Sequence, residues 1–105
     1  MQLKEIKEIL ELTGLPVSFN NWPKDKAPAM PYIVFSTEET NPFYADGLVY
    51  FLLENIIVYL YTKNKDEKTE QKVDNALLRF PFTKTGACLT EENCWVTTYN
   101  FENEV

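Results

Sequence analysis

No histidine occurs in this chain, and a single arginine, Arg79, stands with nine lysines against sixteen carboxylates. Without imidazole there is no Ser–His or Cys–His nucleophile pair, no histidine metal ligand and no side chain that ordinarily titrates near neutrality. The net charge of −6 opposes phosphate binding, which depends on clustered Lys and Arg. Only three glycines are present, so a phosphate-cradling glycine-rich loop is poorly supplied. The two cysteines, Cys88 and Cys94, lack the further ligands that zinc requires. A bridge between them would close a short loop of little entropic effect, and they read as reduced small hydrophobes. No run approaches 18 apolar residues, and "MQLKEIKEIL" carries charges among its apolar positions, unlike a signal or transit peptide. A cytosolic start with no membrane partner is the expectation.

What remains is 105 residues, 45% hydrophobic and 25% charged, the composition of a folded domain. Residues 1–105 read as one domain, burying about 60–70% of the extended chain's surface. Leu3, Ile6, Ile9, Leu10 and Thr13 recur at helical spacing, Gly14 offers a left-handed end, and Pro16 stops continuation. A loop holding Pro23, Pro28 and Pro31 follows a short strand near Val17–Phe19, and "YIVFSTEE" reads as a strand from Tyr32 to Glu39. The longest apolar stretch, Leu48 to Thr62, alternates with both faces apolar. Val49, Phe51, Leu53, Ile57, Tyr59 and Tyr61 share one face; Leu48, Tyr50, Leu52, Ile56, Val58 and Leu60 share the other. Glu54 and Asn55 interrupt it, predicting either a bulge there or two strands joined at that point.

In "LYTKNKDEKTEQKVDNAL" the period changes from two to three and four, predicting a second helix from about Lys65 to Phe80, capped by Asn64 or Asp66. Its charges segregate by sign. Lys65, Lys68, Lys72 and Arg79 flank one side of the apolar stripe, and Asp66, Glu70 and Asp74 flank the other. The C-terminal stretch predicts a β-hairpin turning near Glu91–Asn93, with Trp95, Thr97, Tyr99 and Phe101 on one face. The expected fold is therefore α+β: two helices on one face of a mainly antiparallel, twisted sheet, ending in that hairpin.

Catalytic constellations are missing. Adjacent acids Glu38–Glu39 and Glu91–Glu92 point to opposite faces of a strand, which suits a solvated edge or turn better than acid–base chemistry. Asp66, Glu70 and Asp74 lack the loop that wraps a divalent ion. Trp22, Phe43 and Tyr44 lie in predicted loops and could stack on a ligand or fold back on the core. No enzyme activity and no cofactor are expected. Two helices hide one sheet face, so the second is left either half covered by loops or open to a partner. In the latter case the basic flank of one copy meets the acidic flank of the next, a head-to-tail contact that closes into rings. The interface candidates are Phe51, Ile57 and Tyr59 with Lys65, Lys68, Lys72, Asp66, Glu70 and Asp74.

The segments Pro31–Phe35 ("PYIVF"), Ala45–Tyr50 ("ADGLVY") and Leu60–Leu77 resemble small tail-completion, or head–tail joining, proteins of long-tailed bacteriophages. "GLPVSFNNWPKDKAPAMPY" is also similar to that family's passage from the first helix through a proline-rich loop. The resemblance implies a non-enzymatic assembly subunit that forms a hexameric ring on the head-proximal end of the tail tube. It implies tail-tube and head-completion proteins as partners, and residence in the host cytoplasm and then the virion. Ser36 to Thr62 holds Glu38, Glu39, Asp46 and Glu54 and no Lys or Arg. In such a ring these four acids would face the lumen and repel passing DNA without binding it. The competing expectation is a monomeric module holding a peptide or small ligand through Trp22, Phe43 and Tyr44.

Overall fold

Alternation decides the central strand of the fold. In the computed structural model, which describes residues 2–23, 26–39, 43–45, 48–51 and 53–104, Ile56, Val58 and Leu60 are fully buried while Ile57, Tyr59 and Tyr61 remain half-buried. The strand β5 (Leu53–Thr62) lies at the centre of a five-stranded mixed sheet of order β1-β2-β5-β7-β6, flanked by β2 (Tyr32–Glu39) and β7 (Cys94–Glu104). Its partners are antiparallel, with Phe35 opposite Val58 and Val58 opposite Tyr99. The edges are β6 (Thr83–Leu89), antiparallel to β7, and the short β1 (Val17–Phe19), which runs parallel to β2. With two helices, α1 (Leu3–Glu11) and α2 (Glu67–Ala76), the chain is α+β and the sheet mostly antiparallel.

The core follows from that alternation. Ile6 and Leu10 of α1, Val73 of α2 and Leu77 at its C-cap join Ile33, Phe35, Ile56, Val58, Leu60, Tyr99 and Phe101 of the sheet in one buried cluster. Gly14, just beyond α1, takes φ +83°, the left-handed conformation expected of it.

Two expectations need correction. The apolar run from Leu48 does not form one strand: β4 (Leu48–Phe51) pairs with β3 (Phe43–Ala45) in a separate two-stranded ribbon, and β5 starts at Leu53. No bulge falls at Glu54–Asn55, because both residues stay in continuous register with β2 and β7. The second helix is also shorter than its periodicity suggests. Asp66 is the N-cap, so Lys65 lies outside, and Leu77–Arg79 tighten into a turn in which the Phe80 N–H donates to the Leu77 carbonyl.

Candidate functional site

Two regions concentrate chemistry. The first is the sheet side opposite the buried cluster, where register places Tyr32 against Tyr61 and Val34 against Tyr59. The Tyr32 and Tyr61 rings lie 5.1 Å apart and those of Tyr59 and Tyr61 6.4 Å apart. Trp22 meets Tyr32 edge-on at 6.0 Å, its indole N–H buried without an acceptor among the described residues. Burial raises both the Tyr32 and Tyr61 phenols above their ordinary value; Cys94 and then Glu92 add to the effect at Tyr32, Tyr32 and then Glu92 at Tyr61. Glu92 therefore stands near one end of this tyrosine side. At the other end are Glu38 and Glu102, both exposed, with the Asn55 amide 3.4 Å from Glu38 Oε2. The strand positions of this side carry no lysine or arginine among the described residues.

The second region lies between α2 and the sheet. Glu70, 3% exposed, receives Lys65 Nζ at 3.0 Å and Lys84 Nζ at 3.1 Å. Lys84 also reaches Asp74 at 3.1 Å, and the Tyr99 hydroxyl donates to Asp74 Oδ1 at 2.8 Å. Burial alone would pull the Lys84 ammonium down, but its hydrogen bonds to Asp74 and Glu70 outweigh that and hold it above its ordinary value. The Tyr99 phenol is pushed far up by burial and by its bond to Asp74, so it remains a donor. Lys65 lies 5.3 Å over the Trp95 ring and Lys84 5.6 Å over that of Tyr99. Every charge here has its counter-charge, which makes the network a clamp between α2 and β6 rather than a reactive centre.

The acidic flank is thereby corrected. Glu70 and Asp74 turn toward the sheet because Lys84 and Tyr99 meet them there, and Lys65 is held by Glu70. Asp66 is occupied as the cap, its carboxylate accepting from Thr69 N at 3.2 Å and Thr69 Oγ1 at 2.7 Å. Of the basic flank, Lys68, Lys72 and Arg79 are exposed and carry no ion pair among the described residues. Ile57 and Tyr59 lie on the tyrosine side; the Phe51 side chain is outside the described residues.

Of the four lumen acids, Glu38 and Glu54 fall on opposite faces of the sheet. Glu54 is in register with Glu39, whereas Glu38, one residue away, belongs to the opposite face; Asp46 is outside the described residues. Phe43 and Tyr44 belong to β3 rather than a loop, and Trp22 folds back on Tyr32. Cys88 is exposed, Cys94 buried, and both are free thiols; burial raises that of Cys94.

The Thr69 hydrogen bonds hold the Asp66 carboxyl below its ordinary value of 3.8. Its stabilising effect is therefore fully present above pH 3.8 and lost as pH falls through the lower folded-state value. Replacing Asp66→Ala should lower stability at neutral pH, with the deficit relative to wild type shrinking in strong acid; a deficit unchanged between pH 6 and about pH 2 in urea titrations would exclude the capping role.

Among the described residues no group of three or more His, Cys, Asp or Glu is placed to hold a metal, and no helix is long and apolar enough to cross a membrane. Comparison with protein-family models and with curated proteins gave no match to this chain.

Proposed function

We propose that this chain is a non-enzymatic structural subunit that assembles into a ring, and that it completes or joins the head-proximal end of a bacteriophage tail tube. In this reading both helices cover one side of the five-stranded sheet, β6 and β7 extend it as a hairpin, and the other side is kept for a neighbouring subunit. The observation that carries it is the half-buried Trp22–Tyr32–Tyr61–Tyr59 stripe with Ile57, on a side whose strand positions hold no lysine or arginine among the described residues. A contiguous aromatic surface of this kind marks a protein contact more often than a solvated face. Tyr32 and Tyr61 fall within two of the segments that resemble tail-completion proteins. The assembly site would be the host cytoplasm, and the final location the tail or neck of the virion.

The test is sedimentation velocity and negative-stain microscopy of the purified chain at tens of micromolar, alone and with isolated tail tubes. Closed rings, or binding confined to one tube end, are expected. A monomer that ignores tail tubes would overturn the reading, and a monomer that instead binds a small aromatic ligand with a change in Trp22 emission would favour the ligand-binding module.

A further inference from the structure

Of the acids of α2 and its cap, Asp66, Glu70 and Asp74 are engaged within the chain, and the exposed Glu67 stands roughly 100° or more around the helix from Lys68 and Lys72, so the basic residues left exposed face no acid on their own side of it. Lys68 and Lys72 lie one turn apart on its outer side, and the turn beyond adds Arg79, exposed, and Leu78, 72% exposed. This surface is a cationic strip ending in an apolar knob. The tyrosine side of the sheet has the opposite character: aromatic rings in the middle, with Glu38, Glu92 and Glu102 around them and no cation on its strands among the described residues.

From this complementarity we infer that the tyrosine side of one copy docks on the outer side of α2 and its following turn in a second copy, an inference that rests on the ring reading above. Leu78 packs on the Tyr59–Tyr61 rings, and Lys68, Lys72 and Arg79 meet Glu38, Glu92 and Glu102. The chain already uses the same pairing internally, with Lys65 over Trp95 and Lys84 over Tyr99. The helix bounds the area: from Glu67 to Arg79 it is about 20 Å long and about 10 Å across, so the contact is smaller than the ~800 Å² each partner contributes to a standard interface and belongs to the weak, salt-sensitive class. Face-to-face pairing of two tyrosine sides is disfavoured, since it brings the acids of one copy against the acids of the other with nothing to offset them. The contact joins two different surfaces, so it repeats with rotation and closes into a ring or continues as a filament. The rings supply most of the affinity; each exposed ion pair is worth about 0.2–1 kcal/mol and sets orientation.

Charge reversal tests this without touching the core. E38K/E102K and K68E/K72E alter exposed residues only, so both variants should fold with wild-type circular dichroism and melting temperature. Each alone should self-associate at least ten-fold more weakly than wild type in about 50 mM salt. A one-to-one mixture should recover assembly, because the altered strip of one variant meets the altered face of the other. The quadruple variant should assemble by itself for the same reason. In wild type, a zero-length carbodiimide should cross-link Lys68 or Lys72 to Glu38 or Glu102 between subunits.

Rings that persist in both variants, a loss confined to one variant, or a mixture that fails to recover would each overturn the docking surface while leaving the ring reading intact. A wild-type chain that stays monomeric at about 100 μM would overturn both. Recovery of a monomeric variant only by a different, basic protein would overturn self-docking in favour of a foreign partner.

Discussion

Replacing Lys65 and Lys84 together by methionine should destabilise the chain by about 3 kcal/mol at pH 7. Among the described residues the two ammonium groups are the only cations paired with the Glu70 carboxylate, whose side chain is 4% exposed, against 51% for Lys65 and 33% for Lys84. Removing both partners leaves a buried charge uncompensated, and breaking a buried pair in this way costs about 3–5 kcal/mol.

Lys65→Met alone should cost less than about 1 kcal/mol, because Lys84 remains and Lys65 is half in solvent. Urea titrations at pH 7 measure both; a deficit under about 1 kcal/mol for the double variant would remove Glu70 as the clamp between α2 and β6.

Leu60→Ala should cost about 3–5 kcal/mol, the range for truncating a filled core position. Leu60 is fully buried, lies across from Ile33 on β2 and Thr97 on β7, and belongs to the cluster shared with both helices. For a domain of this size each kcal/mol moves the melting temperature by about 4–8 °C, so a fall of at least 12 °C is expected. Tyr59→Ala, one residue away, should cost less than half as much in the monomer, because its ring is half-buried on the other side of the sheet. Calorimetry of the two variants at concentrations where the chain is monomeric compares them directly. Equal losses would mean that the tyrosine side is as closed as the core and would end the argument for a docking surface there.

Much of the scaffold was legible because it rests on local rules. Helical spacing and Gly14 located α1, the change of period after Tyr61 located α2, and Asp66 was one of two named caps. Alternation separated Ile56, Val58 and Leu60 from Ile57, Tyr59 and Tyr61, and burial divides them the same way. The alternation of Trp95, Thr97, Tyr99 and Phe101 likewise matches a face on which the last three are at most 2% exposed. What escaped was non-local. A helical wheel places Glu70 and Asp74 on a flank but carries no information that Lys84, ten or more residues away on β6, reaches both. That the apolar run is two strands was one of the two readings at Glu54–Asn55, but their division between two sheets was hidden, since Leu48–Phe51 and Leu53–Thr62 have the same β-forming composition and differ only in their partners. The one cue to the clamp was the unfavourable i,i+4 row of acids itself, which demands cations from elsewhere in the chain.

Gly86 fixes the place of Trp95, one of the molecule's two tryptophans. A Cβ at that position would sit 2.5 Å from Cζ2 of Trp95, so the indole lies directly on the backbone of β6, donates to Thr97 Oγ1 at 3.1 Å and carries the Lys65 ammonium above it. Its fluorescence belongs to the junction of α2, β6 and β7. Trp22, the other tryptophan, rests on Tyr32 at the opposite surface. With one indole per side, emission from Trp95 follows the integrity of each subunit, while emission from Trp22 follows whether anything has come to rest against it.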